Sequence, residues 1–190
     1  MNRSKYLHDN FYANLVLKGT ASILTGFYIC CSAYLMKGIL EGFLVADNPL
    51  GMLSAELIEI LFFGMLFLVF MFSSIALIFG GKRVSKKFKF KLWNAKTQKI
   101  AFKYLFLVAL IFTALLFLLN AGFIDEIPPT LLILYGFLLF VVKNKDRKQL
   151  LILSAVCFFL AVFCFFIPSY WYSAFSTLGV AHIAYGVVVK

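Results

Sequence analysis

The sequence predicts an all-α integral membrane protein of six transmembrane helices, arranged as three helical hairpins with the N and C termini cytoplasmic. Three observations carry this prediction. Of the 190 residues, 63% are apolar and only 14% charged, whereas a soluble domain averages about half and about a quarter. Apolar runs recur along the chain at lengths near the ~20 residues a helix needs to cross a bilayer at about 1.5 Å per residue. Finally, the stretch from Lys82 to Lys103, between two such runs, holds nine lysines and arginines and no acid. Such cations are retained on the cytoplasmic side, so this segment orients the chain.

The first span is expected from about Phe11 to Met36, with Lys18 near its inner end, where the ammonium can reach the headgroups along its own stem. Arg3 and Lys5 before this run imitate the start of a signal peptide, but the run is too long and lacks a small-residue cleavage site, so a retained span is expected. The second span is expected from Leu57 to Phe79 and the third from Lys103 to Phe123. A fourth, shorter one is expected from Ile127 to Val142, its start marked by Asp125, Glu126, Pro128 and Pro129. Acids and proline both suit a helix N-terminus. The fifth is expected from Leu150 to Ile167, ending at Pro168 with Ser169 placed to cap the sixth, which is expected from Tyr170 to Val189. Tyr170, Trp171 and Tyr172 then stand at the outer boundary, where amphipathic aromatics prefer to sit.

This topology treats residues 1–190 as a single polytopic membrane domain, with 82–103 a basic cytoplasmic loop and 37–56 an outer interfacial connection. The connections after spans three and five are short, which predicts hairpins. The charges divide to match. Seventeen of the eighteen cations fall inside with Asp9 and Asp146, giving +15, and Lys37 faces six acids outside, giving −5, which together recover the net +10. The expected location is the cytoplasmic (inner) membrane.

Small residues at helical spacing mark faces where membrane helices approach closely. Three spans carry such a stripe: Gly19, Ser22, Gly26, Cys30 and Ala33 in the first; Ser154, Cys157, Ala161 and Cys164 in the fifth; Ser176, Gly179, His182 and Gly186 in the sixth. Packing within the bundle is the plain reading, and a cavity or a partner's helix the sharper one. All four cysteines (Cys30, Cys31, Cys157, Cys164) lie in apolar runs without a C-x-x-C, so neither a disulfide framework nor a metal knuckle is expected.

His182 falls near the expected bilayer centre, about 12 Å from the inner end by helical rise. An imidazole there suits a proton relay or pH sensor. The structural alternative is a neutral ring hydrogen-bonded to Asn120, Thr113 or Ser154, and it is favoured because no second titratable group sits at matching depth. Glu56 and Glu59 share one face at the outer start of the second span and could accept a cation or pair with Lys37, although acids there also simply complement the helix dipole. In the basic loop, Lys82, Arg83, Lys86, Lys87, Lys89, Lys91 and Trp93 suit an anionic surface, at about 1 kcal/mol per cation. Interleaved cations and aromatics also suit a nucleic acid, the less favoured partner.

No catalytic, cofactor or metal site is expected. Gly80-Gly81-Lys82-Arg83 imitates the end of a phosphate loop, but Ala76 and Arg83 replace the required Gly and Ser or Thr. The two histidines, His8 and His182, supply neither a zinc motif nor a haem pair. The function expected is therefore non-enzymatic: an accessory, assembly or regulatory membrane component working through helix packing and a polybasic cytoplasmic face. Its partners would be anionic headgroups and a protein or second copy held by small-residue helix faces. A small channel or transporter with His182 and Asn120 on a polar path is the alternative. An accessory membrane protein of a defence or toxin-immunity module is a third class compatible with this size.

Overall fold

The computed structural model describes residues 17, 19–44, 51, 53–89, 92, 93, 95–142 and 149–189. Among the described residues there is no strand, and six α-helices follow one another: α1 Thr20–Leu44, α2 Ala55–Phe88, α3 Ala95–Asn120, α4 Ile127–Val142, α5 Gln149–Phe166 and α6 Trp171–Val188. The protein belongs to the helical membrane class. Four segments, Thr20–Leu44, Ala55–Lys87, Ala101–Asn120 and Ile124–Val141, are long and apolar enough to cross a membrane. The apolar part of α5, Leu150–Phe166, is shorter. α6 is as long as α5, but its run is diluted by Ser173, Ser176, Thr177, Gly179, His182 and Gly186.

Two helices run past the places where polarity suggests they would stop. α1 continues through Lys37, Gly38, Glu41 and Gly42 to Leu44, and Lys37 pairs with Glu41 one turn on at 3.5 Å. α2 passes through Gly80 and Gly81 and takes up Lys82 to Phe88; at about 1.5 Å per residue its 34 residues measure about 51 Å, well beyond a hydrocarbon core of about 30 Å. Leaving the membrane does not require leaving the helix, because backbone hydrogen bonds close within the segment in either medium. The basic segment 82–103 is accordingly helical at both ends, with Lys89 closing α2 in the left-handed region at φ 53° and Ala95 opening α3. The connection 37–56, expected on the outer side, is likewise helical up to Leu44, and residues 45–50 lie outside the described ones. So do Lys18 and Lys91.

The chain forms two compact units. The first comprises residues 1–17 and 77–174 and contains α3, α4 and α5. Here α4 lies against both α3 and α5. Leu150, Leu153, Ser154, Cys157, Leu160, Ala161 and Cys164 form one buried stripe along α5 at spacings of three and four. The other side of each helix is as apolar as the buried one: Phe102, Leu105, Phe106 and Phe117 are exposed on α3, and Phe159 and Phe166 on α5. That is the distribution expected where the surrounding solvent is hydrocarbon.

The second unit comprises residues 18–76 and 175–190, and joins α1 to α6 and to the N-terminal part of α2, where Tyr28 of α1 meets Phe72 of α2 at a ring distance of 5.6 Å. As α1 advances through Gly19, Ser22, Gly26 and Cys30, its contacts recede along α6 from Gly186 through His182 and Gly179 to Ser176, so the two helices run antiparallel. Of the hairpins that short connections suggest, α3 meets α4, and α4 also meets α5, from which only residues 143–148 separate it in sequence. α1 and α6 are the first and last helices, so small-residue faces and not a short connection bring these two together.

Two turns precede α4 and α6. Asp125 and Glu126 lie in a 3-10 turn, Ile124–Glu126. Ser169 lies inside a second, Pro168–Tyr170, whose N-terminal residue Ile167 makes no side-chain cap, so Ser169 does not cap α6 as its position suggests.

Candidate functional site

The polar residues that the sequence singles out fall into three places. The innermost is the α1–α6 seam. A Cβ placed on Gly26 would meet the Gly179 carbonyl oxygen and lie 2.9 Å from the His182 Cβ. On Gly186 it would lie 2.7 Å from the Gly19 carbonyl oxygen. Glycine on both helices is what permits backbone to rest on backbone. Gly19 itself takes φ +52° and donates its N–H to the Val189 carbonyl at 3.0 Å, tying the start of α1 to the end of α6.

His182 sits in the middle of this seam and is fully buried. Ser22, equally buried, donates its hydroxyl proton to the His182 carbonyl oxygen at 2.8 Å and lies 3.4 Å from His182 Nδ1. A hydroxyl has one proton, so the second contact is a hydrogen bond only if Nδ1 carries the proton and donates to Oγ. The partners expected from sequence are engaged elsewhere: Thr113 donates to the Ala109 carbonyl within its own helix, and Ser154 donates to the Gly136 carbonyl at 2.8 Å. Asn120 ends α3 in an exposed position, in the other unit from His182. Sequence places Ser22 and His182 each on a small-residue face without pairing them.

The second place is the N-terminus of α2. Ser54 caps the helix, accepting the Leu57 N–H on its hydroxyl at 3.3 Å. Glu56 is exposed and Glu59 half-buried, one turn apart. Lys37 is paired with Glu41. Among the described residues no three His, Cys, Asp or Glu side chains converge as metal ligands would.

The third place is the far end of α2. Lys82, Arg83, Lys86 and Lys87 are exposed, whereas Gly81 and Ser85 are buried. At about 100° per residue the four cations occupy one broad side of the helix, opposite the buried pair. Phe79, 61% exposed, lies one turn earlier on that outward side. Lys89 and Trp93 come next along the chain, both exposed.

One residue that shapes the packing escapes the stripe pattern. Gly136 receives both the Ser154 hydroxyl and the Cys157 side chain, its hypothetical Cβ lying 3.1 Å from the Cys157 Cβ. A signal for it is present in the sequence: Gly136 is the single glycine in an α4 otherwise built from bulky apolar residues, proline, threonine and tyrosine. No known protein family matches the chain, and no curated protein or solved structure resembles it significantly.

Proposed function

We propose that the protein is a non-enzymatic component of the cytoplasmic membrane, an accessory, assembly or regulatory subunit that acts through lipid-facing helices and a polybasic inner face. In this reading all six helices cross, both termini are cytoplasmic, and the α2–α3 junction projects into the cell. The observation that carries it is the end of α2: a cationic, exposed side on a helix too long for the hydrocarbon core. Fixed cations at that position hold a membrane face against anionic headgroups or an acidic partner. His182 supports a structural role, because its ring is enclosed by the α1–α6 seam and lies beside Ser22.

The small-residue faces of α1, α5 and α6 are filled by this chain's own helices. We therefore place any protein partner, or a second copy, on the exposed apolar sides of α2 and α3. Topology is tested by a Trp93→Cys variant treated with a membrane-impermeant maleimide. Modification only after permeabilisation is expected, and modification from outside intact cells overturns the orientation. Affinity purification from native membranes tests the role. A defined protein or lipid that accompanies the chain is expected, and a lone monomer stripped of both counts against it.

A further inference from the structure

We propose that the C-terminal turns of α2 form a discrete binding site for one anionic phospholipid, with Lys82, Arg83 and Lys86 on the headgroup phosphate and Phe79 against an acyl chain. The proposal deepens the functional reading above and rests on its placement of this end of α2 at the inner interface. Its basis is the order of groups along one side of a single helix. Reading outward, exposed Phe79 comes first, then Lys82 and Arg83, then Lys86 one turn later. Apolar surface succeeded within one turn by cations matches the profile of a phospholipid, whose chains meet its phosphate over a comparable distance.

Charge balance supports the same occupant. Among the described residues no carboxylate pairs with Lys82, Arg83 or Lys86. The side chains are also held in register by a helix whose opposite side is anchored: Gly81 and Ser85 are buried, and Ser85 donates to the Lys82 carbonyl at 3.0 Å. Arg83 adds a planar fork of donors suited to phosphate oxygens, which a lysine at the same place would not offer. A nucleic acid would satisfy the cations but would leave Phe79 without an apolar counterpart, so a lipid is favoured.

The test uses the full chain in nanodiscs of equimolar phosphatidylcholine and phosphatidylglycerol, extracted in mild detergent, with the lipid that stays bound identified by native mass spectrometry. The wild type is expected to retain phosphatidylglycerol in roughly a hundredfold preference, from about fivefold for each of three cations. Removing cations weakens binding by about fivefold each, from about 1 kcal/mol per basic residue near an anionic surface, so K82Q/R83Q/K86Q is expected to fall to parity. The charge-retaining K82R/K86R keeps the preference, and K96Q/K99Q/K103Q, which removes equal charge from α3, leaves most of it. A K82Q/R83Q/K86Q protein that retains lipid like wild type overturns the site. Equal losses in the two triple variants also overturn it, leaving diffuse attraction and the functional reading intact. Displacement of the bound lipid by inorganic phosphate, or by single-stranded RNA, at matched charge assigns the cations to those ligands instead and overturns the lipid site. Failure of the underlying reading is seen separately, in external labelling of the Trp93→Cys variant.

Discussion

The α1–α6 seam and the α4–α5 seam solve the same problem with different parts. Each has a buried serine donating to a carbonyl of the facing helix at 2.8 Å, Ser22 to His182 and Ser154 to Gly136. Each has glycine at its closest approach. In α1–α6, however, glycines stand on both helices and backbone meets backbone, whereas in α4–α5 the single Gly136 receives the Cys157 and Phe158 side chains. The two seams also differ in what surrounds them. α4 belongs to a segment apolar enough to cross a membrane by itself, and α6 does not. Apolarity decides which helix lipid will accept, and small residues decide which helix another helix will accept. α6 is weak in the first respect and strong in the second, so its seam with α1 supplies support that its own apolarity does not.

The largest expected effect breaks that support. In Gly26→Ala the new methyl falls on the Gly179 carbonyl, and backbone cannot move aside as a side chain can. A loss of about 3 kcal/mol is expected, at the upper end of overpacking costs, read as a fall in the thermal midpoint in detergent. Cys30 lies 3.6 Å from the Ser176 carbonyl, so Ser176→Cys provides a cross-linking pair with Cys30 across the seam. Gly26→Leu should abolish that cross-link and, in the topology proposed above, leave the C-terminus on the outer side in a fraction of molecules. Gly38→Leu, at a position with no atom within 4 Å of a Cβ, should change neither.

The matched substitution in the other seam is smaller. A Cβ on Gly136 would lie 3.1 Å from the Cys157 Cβ and 3.3 Å from the Phe158 ring, and these side chains can yield by a few tenths of an ångström. Gly136→Ala is expected to cost about 1 kcal/mol, the low end of the same range. If it destabilises as much as Gly26→Ala under identical conditions, the distinction between backbone and side-chain contact does not govern these seams.

Much of this is legible in the chain. The lengths of the apolar runs locate the helices, and the stripes Gly19, Ser22, Gly26, Cys30 and Gly179, His182, Gly186 mark the faces that meet. What a stripe does not carry is the identity of its partner, because small residues are complementary to any other small-residue face. Short connections suggest sequential neighbours, and the pairing of the first helix with the last is a long-range choice that local pattern does not encode. Helix ends are hidden for a related reason. Lys37, Glu41, Lys82 and Arg83 report where apolarity ends, and α1 and α2 continue as helices through them. Gly136 stays hidden because a single glycine has no periodicity to reveal it.

The smallest effect is also the sharpest comparison, since each serine donates one bond of 2.8 Å to a carbonyl of the facing helix. Ser154→Ala removes one hydrogen bond to a carbonyl that is already part of a helix, and interhelical bonds of this kind in membranes average about 0.6 kcal/mol. Ser22→Ala removes an equivalent bond and also the 3.4 Å approach to His182 Nδ1. That approach is long for a hydrogen bond, so the excess of Ser22→Ala over Ser154→Ala should be no more than a few tenths of a kcal/mol. Nitrogen NMR of His182 supplies the independent reading: if the 3.4 Å approach is a hydrogen bond while the Ser22 hydroxyl proton stays on the carbonyl, the ring proton is found on Nδ1. If Ser22 instead turns its hydroxyl toward Nδ1, the ring proton lies on Nε2 and the hydrogen-bond cost of Ser22→Ala comes from the imidazole instead of the backbone.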